Sequence, residues 1–443
     1  PACRATQDQP GRRHSVCRLT GKLIMFTLKL AFNSLISRRV TVLLTLLAVS
    51  LSVMLLLGVE KIRTETRKSF SNTVSGTDLI VGARSGSLPL LLYSVFRIGN
   101  ATNNISWASY REIADDPNVA WTIPISLGDS HRGFRVLGTN GDYFKHFRYA
   151  RSRQLEFSKG RPFEDIFDAV IGAEVAHVLG YRVGDSIVVD HGVGQVGFAS
   201  HTDKPFRVSG ILARTGTPVD RTVHVSLAGI EAIHIDWRSG APAPGLRIDA
   251  DRVRQMNLQP KAITAFLVGL KSRFSTFTVQ RSINQYRAEP LLAILPGVAL
   301  QELWSLMRIA ETSLAAISIF VVATCLIGMV AMLLSSMNER RREMAILRSV
   351  GARPAHIFAL FLVEAALVTL AGAVLGLIFT YASLLVGQPI IQATHGLSIA
   401  IGPPTSTEVI YLLSVIAAGI ISGLLPACRA LRLSVADGMV VRS

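Results

Sequence analysis

The sequence predicts an α-helical membrane protein with four transmembrane helices and a large α+β extracytoplasmic domain inserted between the first and second helices. Three observations support this fold class. The composition is 49% hydrophobic but still 17% charged, and the mean hydropathy is +0.40. Four long runs are almost free of charge, and a long segment with β-rich patterning separates the first two. Such a chain is too apolar for an ordinary soluble enzyme and too charged to lie wholly in a bilayer.

The charge balance is strongly basic, with 46 Lys+Arg against 30 Asp+Glu and a net charge of +16. In a membrane protein, positively charged cytoplasmic loops and contacts with anionic lipid explain such an excess. We therefore expect membrane lipid as a partner, and no nucleic acid. The four cysteines are Cys3, Cys17, Cys325 and Cys428, so none lies in the large inserted segment. This excludes a disulfide-stapled external scaffold.

The N-terminal region divides into two parts. Residues 1–24 are polar, contain Pro and Gly, and precede the first methionine, Met25, so we expect a disordered or non-native segment. Residues 25–39 are predicted to form an interfacial helix, because Leu28, Leu35 and Ile36 share one helical face. The alternative is a cytoplasmic extension of the following helix.

Four apolar runs predict transmembrane helices at 40–59, 313–338, 357–386 and 409–426. The first has 20 residues without a charge, enough to cross about 30 Å of hydrocarbon. Glu364 is the single charge in the third run, near one end. Core helices of a soluble protein are the alternative, which four such runs disfavour. A signal peptide over 25–59 is also disfavoured, because the run is long and no small-residue cleavage motif follows it.

The distribution of basic residues predicts the orientation. Arginines precede the first run, follow the fourth and fill the loop 339–356, whereas the short loop 387–408 has no Lys or Arg. By the positive-inside rule, both termini, the loop 339–356 and the tail 427–443 are cytoplasmic. The segment 60–312 and the loop 387–408 then lie outside the membrane.

The external segment 60–312 reads as α+β, with short strands separated by Gly and Asp. Strands are predicted at Asp78–Gly82, Trp121–Ser126, Gly133–Gly138, Ser186–Asp190, Phe206–Leu212, Thr222–Ser226 and Thr264–Lys271. Helices are predicted at Tyr110–Asp115, Gly172–Leu179, Leu227–Ile233 and Phe277–Gln285. The stretch 239–245, rich in Gly and Pro, is predicted to be a loop.

Catalytic motifs are absent from the sequence. It contains no G-x-x-x-x-G-K-S/T phosphate loop, H-E-x-x-H, C-x-x-C or G-x-S-x-G. We therefore expect a non-catalytic membrane subunit. The predicted spans almost lack ionisable residues, which disfavours an ion-coupled carrier or a channel.

Histidines provide a candidate metal site in the external segment. His191 and His201 bracket a Gly-rich loop, His224 lies on a predicted strand, and His234 follows one helix later. Zinc or copper sites need three or four converging N or S ligands, and His is a common choice. Because the spacing matches no known metal motif, ordinary surface or core histidines are the alternative.

The loop 339–356 contains the most specific stretch of the chain. Its apolar residues recur with helical spacing through Met344, Leu347 and Val350, Gly351 is placed to cap the helix, and Pro354 starts the next segment. Such a helix, with an apolar stripe and charged flanks, suits docking to a partner protein. A solvated, lipid-facing basic loop is the alternative.

The run Glu339-Arg-Arg-Arg-Glu-Met-Ala-Ile-Leu-Arg-Ser-Val-Gly-Ala352 resembles a motif of the FtsX/MacB-like, mechanotransmission-type ABC transporter permeases. The run Leu425-Pro-Ala-Cys-Arg-Ala-Leu-Arg-Leu433 resembles the family's C-terminal motif, although Ser434 stands where the family usually has Pro. Two further short segments, Gly160-Arg-Pro-Phe163 and Leu179–Asp185, also resemble sequence motifs of this family. The resemblance covers most of residues 26–440.

The resemblance implies the roles of particular residues. ATPase-coupling residues would be Glu339, Arg340, Arg341, Glu343, Met344, Leu347, Arg348, Gly351 and Ala352. The C-terminal motif would comprise Pro426, Ala427, Arg429 and Ala430. A β-rich lobe would occupy about 150–255, and Glu60–Phe70 and Gly297–Glu311 would continue the first two transmembrane helices outside the membrane.

The resemblance also implies an assembly in the bacterial inner (plasma) membrane. A homodimer of this chain would work with a separate cytoplasmic ABC ATPase dimer, which would bind ATP and Mg, and with a periplasmic adaptor or substrate-binding protein. This chain would hold no nucleotide cofactor. ATP-driven motion would be transmitted to the periplasmic domain to export or release a substrate. Regulation of a periplasmic cell-wall hydrolase is an alternative, and an ATPase-independent membrane receptor is an alternative of another class.

Overall fold

The computed structural model describes residues 30–31, 33–150, 152–192, 199–238, 241–242, 248–339, 341–395 and 401–431. The predicted segment 1–24, residues 25–29 and 32 of the predicted interfacial helix, and most of the predicted loop 239–245 lie outside these residues. The chain divides into two units. The helical unit comprises Pro1–Arg63, Ala310–Gly387 and Ile401–Ser443, and the external unit comprises Thr64–Ile309 and Gln388–Ala400.

The helices include four that are long and apolar. The α-helices are α1 Arg39–Thr73, α2 Ser87–Leu91, α3 Trp107–Ala114, α4 Asp142–His146, α5 Ala173–Leu179, α6 Leu227–His234, α7 Ala250–Val253, α8 Thr276–Asn284, α9 Pro296–Glu339, α10 Arg341–Ser349, α11 Pro354–His395 and α12 Ser406–Leu431. A π-helical turn covers Leu92–Phe96, and 3₁₀ turns cover Pro218–Arg221 and Arg273–Ser275.

Among the described residues, four helices are long and apolar enough to cross a membrane: α1, α9, α11 and α12. Each contains one predicted span, but the helices extend beyond the spans. α1 continues to Thr73 and α9 begins at Pro296, so Glu60–Phe70 and Gly297–Glu311 are both helical. α11 runs to His395 instead of ending near residue 386.

Two Gly-x-x-x-Gly pairs set the packing of these helices. On α11, Gly372 and Gly376 face Val49 and Val53 of α1, and a Cβ at Gly372 would lie 2.6 Å from Val49 Cγ1. Small residues at such contacts let helix backbones approach closely, which is the main device for packing helices in lipid. On α12, a Cβ at Gly419 would overlap the Thr369 side chain of α11. α11 is therefore the central helix of the unit.

The external unit is α+β, as the sequence predicts. Its strands are β1 Leu79–Ala83, β2 Ile105–Ser106, β3 Val119–His131, β4 Phe134–Thr139, β5 Arg148–Tyr149, β6 Arg153–Gln154, β7 Phe157–Gly160, β8 Asp168–Ile171, β9 Ser186–Ile187, β10 Asp190–His191, β11 Ala199–Ser200, β12 Phe206–Leu212, β13 Thr222–Ser226, β14 Trp237–Arg238, β15 Ala241–Pro242, β16 Ala262–Ile263, β17 Ala265–Leu270 and β18 Leu291–Ile294.

The long strand β3 joins two parts of the main sheet, whose order is β18-β1-β17-β3-β4-β13-β8-β12-β7. The first half of β3 pairs antiparallel with β17, and its second half pairs with β4. β13 pairs parallel with β4 and antiparallel with β8. The β-rich lobe predicted at about 150–255 therefore shares its sheet with β4 and the end of β3, which precede it in the chain.

β3 also pairs with the short strand β10, beside the second part of the sheet. Asp190 of β10 pairs with Ser130, and His191 pairs with Asp129. The other side of β10 pairs with β11. The core of this region is apolar and includes Phe167, Phe206 and Val223, all at most 5% exposed. The β10–β11 pair is therefore joined through β3 to a sheet with a well-packed apolar core.

Candidate functional site

The predicted docking helix is α10, which joins α9 to α11. Its residues Met344 and Ala345 are buried, at 6% and 7% exposure. Met344 belongs to an apolar cluster with Met337 of α9, Ile357 and Phe361 of α11, and Ala427 and Ala430 of α12. We call this set the Met344 cluster. It brings the two sequence motifs together, although about 80 residues of chain separate them.

The C-terminal motif residues lie on two different sides of α12. Pro426 lies buried within α12, and Ala427 and Ala430 are 0% and 3% exposed. Small side chains at these two positions allow α12 to approach the others closely. Arg429 lies on the exposed side of the same helix. The motif therefore builds a helix contact on one face and presents a basic residue on the other.

The opposite side of α10 is open. Glu343 is exposed, Ile346 is 55% exposed, and Leu347 and Arg348 are half-buried. Val350 is 82% exposed. The helix predicted from the spacing of Met344, Leu347 and Val350 is present, but these three side chains differ in exposure: Met344 points into the cluster, Leu347 is half-buried, and Val350 is exposed directly after the last helical residue. The side chains of Glu339, Arg340 and Arg341 lie outside the described residues.

The predicted cap of α10 is confirmed by its geometry. Gly351 has φ +99°, a conformation that glycine adopts without the steric cost of a Cβ. The Ala352 N–H donates to Leu347 O at 2.9 Å, and the Gly351 N–H donates to Arg348 O at 3.0 Å. These two bonds form a Schellman motif. The chain then turns, and α11 begins at Pro354.

The helical unit also contains an ion pair that no pattern in the sequence indicates. Lys61 Nζ of α1 lies 3.5 Å from Glu408 Oε1 of α12, and both side chains are 3% exposed. Thr405 and Glu408 form a capping box, since the Glu408 N–H donates to Thr405 Oγ1 and the Thr405 N–H donates to Glu408 Oε2. The Thr-x-x-Glu spacing marked this helix start, but nothing in it indicated Lys61.

In the external unit, three of the four predicted metal ligands come together. His191 ends β10, His201 follows β11, and His234 ends α6. Among the described residues these three histidines can each offer one ring nitrogen so that the three atoms lie within 4.8 Å of one another. The β10–β11 pair and the C-terminal end of α6 therefore form a histidine cluster, which we define as His191, His201 and His234.

Distances within the cluster are short. His191 Nδ1 lies 3.2 Å from His234 Nε2 and 3.1 Å from Asp129 Oδ1. His234 Nε2 lies 3.5 Å from the same carboxylate oxygen. His234 Nδ1 lies 2.8 Å from Ile230 O, which assigns a proton to Nδ1, so Nε2 carries the lone pair whenever the ring is neutral. Sequence analysis did not find Asp129, because only the pairing of β3 with β10 brings it here.

His201 differs from the other two. It is 0% exposed, and neither of its ring nitrogens has a hydrogen-bond partner among the described residues. Burial lowers its pKa to about 4, with a smaller contribution from His234, so the ring is neutral at physiological pH. The centroid of the Trp237 ring lies 4.1 Å from the centroid of the His201 ring. His201 is thus a neutral, buried imidazole whose two nitrogens have no hydrogen-bond partner within the described part of the chain.

Asp129 and His234 influence each other's protonation. Burial alone would raise the pKa of Asp129, but hydrogen bonds with His191 and His234 outweigh it and hold the pKa at about 2. Burial would also lower the pKa of His234, yet its hydrogen bond to Asp129 raises it overall. The cluster therefore holds one buried negative charge next to basic nitrogens.

His224, the fourth predicted ligand, does not join the cluster. It is 0% exposed in the core, and its Nδ1 lies 3.2 Å from Val170 O. Its ring packs 5.1 Å from Tyr143, and burial lowers its pKa to about 3. The central position of β13 in the sheet encloses this side chain, so the structure assigns His224 to the core.

Comparisons with known proteins agree with the architecture. The model described as the MacB-like periplasmic core domain matches residues 42–286. The model described as the FtsX-like permease C-terminal region matches residues 315–435. The first match covers α1 and most of the external unit, and the second covers α10 and both motifs of the Met344 cluster.

Curated relatives carry the name macrolide export ATP-binding/permease protein MacB. The protein from Bordetella avium (strain 197N) is 27% identical over 309 residues, which is 66% of this chain and 42% of the relative. The protein from Shigella boydii serotype 4 (strain Sb227) is 38% identical over 114 residues, 26% of this chain and 17% of the relative. This chain thus spans less than half the length of the relatives it matches.

One solved structure also matches, the extracellular domain of the noncanonic ABC-type transporter YknZ from Gram-positive bacteria. It covers 49% of this chain and 99% of that domain, at 11% identity and a TM-score of 0.29. That score is too low to assign a fold, so the assignment depends on the two family models. Together they show that this chain belongs to the FtsX/MacB-like family of ABC transporter permeases, membrane proteins with a periplasmic domain.

Proposed function

We propose that this chain couples ATP hydrolysis by a separate cytoplasmic ABC ATPase to movements of its periplasmic domain that export or release a substrate. Family membership implies the ABC ATPase partner. The observation that carries the coupling role is the difference in burial between the two faces of α10. One face packs in the Met344 cluster, whereas Ile346 on the other face and Val350 directly after the helix are exposed.

The Met344 cluster supports this role because it links α10 to three long helices at once. Well-packed apolar contacts resist deformation, so a force applied to α10 moves the ends of α9, α11 and α12 together. The concentration of arginine in the loop 339–356 supports a cytoplasmic position for α10 and for both termini. The exposed apolar pair Ile346 and Val350 then suits a complementary groove on the ATPase surface.

Two long helices could transmit a displacement from the helical unit to the external unit. α1 (Arg39–Thr73) and α9 (Pro296–Glu339) are unbroken, and each contributes residues to both units. Stiff helices transmit a displacement over their length, which a flexible linker would absorb. The same reasoning supports a homodimer acting with an ATPase dimer that binds ATP and Mg. A periplasmic adaptor or substrate-binding protein would be the external partner, and membrane lipid would surround the apolar helices.

The test replaces the exposed side chains of α10 and leaves the buried ones intact. The full chain is extracted from native membranes in mild detergent with ATP and vanadate, and co-purifying proteins are identified by mass spectrometry. Wild type should retain an ABC ATPase, and the double variant Ile346→Asp with Val350→Asp should lose it. Phe274→Asp is the matched control, because Phe274 is 98% exposed in the external unit.

Retention of the ATPase by the double variant would contradict the docking role of this face. A periplasmic hydrolase that co-purifies in place of an adaptor would favour regulation of cell-wall cleavage. The absence of any ATPase from wild-type preparations would favour the receptor hypothesis.

A further inference from the structure

We propose that the histidine cluster of the external unit is a binding site for a divalent transition metal ion, zinc or copper(II), with His191, His201 and His234 as ligands. This inference does not depend on the coupling role of α10. It concerns residues whose convergence is visible only in the folded domain.

The spacing of the nitrogens is the first argument. Two nitrogens bound to one tetrahedral zinc at about 2.1 Å lie roughly 3.4 Å apart. His191 Nδ1 and His234 Nε2 are 3.2 Å apart. Asp129 Oδ1 lies 3.1 and 3.5 Å from these two atoms, so it is placed to act as a fourth, oxygen ligand. The donor set is therefore three imidazoles and one carboxylate.

The hydrogen bonding of His234 is the second argument. Its Nδ1 lies 2.8 Å from Ile230 O in the preceding turn of α6. Metal-binding histidines usually donate their second ring nitrogen to a carbonyl or carboxylate, which orients the ring and directs the other nitrogen to the ion. His234 also ends α6, an eight-residue helix. The partial negative charge at a helix C-terminus favours a cation there.

His201 supplies the third argument. A buried polar group without a partner costs about 1–3 kcal/mol. His201 is completely buried, and both of its nitrogens lack a partner among the described residues. A metal ion bound by His191 and His234 would accept a lone pair from this ring. Hydrogen bonding between His191, His234 and Asp129 explains those three groups without an ion, but it leaves His201 unexplained.

The surroundings hold the ligands in place and leave access from solvent. Lys204 is 0% exposed and donates to Asp236 Oδ2 at 2.7 Å, which joins the segment after β11 to the segment after α6. The Trp237 ring packs against His201, and it also lies 5.6 Å from the ring of His191. The side chains of His191 and His234 are 36% and 25% exposed, so an ion can reach the site.

The experiment uses the full chain in detergent micelles, stripped of metal with EDTA and dialysed. Zinc chloride or copper(II) chloride is then titrated, and bound metal is measured by inductively coupled plasma mass spectrometry. The fluorescence of Trp237 provides a second readout, because copper(II) quenches nearby indole rings. Wild type should bind one ion per chain at this site, with a change in tryptophan fluorescence that saturates at the same ratio.

The variants separate the site from general histidine binding. His191→Gln and His234→Gln should each weaken binding at least tenfold, and Asp129→Asn should weaken it roughly 10–100-fold. The exposed His177 is the control, and His177→Gln should bind as wild type does. Because burial makes His201→Gln a risk for folding, the partly exposed His191 provides the decisive variant. Wild-type affinity in His191→Gln and His234→Gln, or no binding by wild type, would overturn the proposal.

Discussion

The helical unit joins its long helices in two different ways. The Met344 cluster is an apolar contact among four helices, α9, α10, α11 and α12. The contact between Lys61 and Glu408 is a single buried ion pair between α1 and α12. The stabilisation by an apolar cluster is the sum of many small dispersion contacts, so losing one side chain removes only part of it. A buried ion pair loses its whole interaction when either partner is removed. A single substitution should therefore weaken the first contact only in part, whereas it should remove the second completely.

The largest effect on stability should come from breaking the ion pair between Lys61 and Glu408. Lys61→Met leaves the carboxylate of Glu408 buried without its partner, which costs about 3–5 kcal/mol in comparable pairs. We expect a large fall in the thermal unfolding temperature of the detergent-solubilised protein. The double variant Lys61→Met with Glu408→Gln should recover much of the loss, because glutamine preserves the capping box.

An exposed pair at the end of α3 provides the control for this ion pair. Arg111 is 60% exposed, and its guanidinium lies 4.0 Å from the carboxylate of Asp115, which is 69% exposed. Arg111→Gln should change the free energy of unfolding by at most about 1 kcal/mol, since solvent screens exposed pairs. Equal losses in Arg111→Gln and Lys61→Met would show that burial does not distinguish these two contacts.

A smaller effect is expected from the Met344 cluster. Met344→Ala removes a buried side chain and leaves a cavity, which costs about 2–3 kcal/mol at the lower end of such substitutions. Because the loss is shared by four helices, unfolding should remain a single transition while co-purification of the ATPase weakens. Chemical denaturation with an intrinsic fluorescence readout measures the first effect. A stability equal to that of wild type would contradict the packing of Met344 described above.

The smallest effect should come from the cap of α10. Gly351→Ala places a Cβ on a residue with φ +99°, and the left-handed conformation costs a non-glycine residue about 1–2 kcal/mol. Apart from the two chain neighbours of Gly351, no atom of the described residues lies within 4 Å of the added Cβ, so backbone strain is the expected cause of the loss. Thermal unfolding should show a modest loss, and Ser349→Ala, on an exposed neighbour, should show almost none. A loss as large as that of Met344→Ala would indicate a contact at Gly351 beyond the cap.

Local patterns predicted much of the fold. β12 and β13 span the predicted residues Phe206–Leu212 and Thr222–Ser226, because β-branched and apolar residues bounded by turn signals act over a few positions. The apolar runs likewise predicted four helices able to cross a membrane. The ends of α1, α9 and α11 were less predictable, since hydropathy marks the part that crosses lipid and not the helix that continues beyond it.

The sequence by itself determined the four apolar helices, the longer strands β1, β3, β4, β12, β13 and β17 at least in part, and the glycine cap of α10, because each depends on residues within a few positions of one another. Only the tertiary structure decided which histidines converge. Asp129 meets His191 through a strand pairing 62 residues apart in sequence, while His224 is enclosed in the sheet. It also decided that Met344 points inward and that Lys61 pairs with Glu408. These contacts depend on sheet register and helix packing, which are set by the whole chain and leave no local pattern.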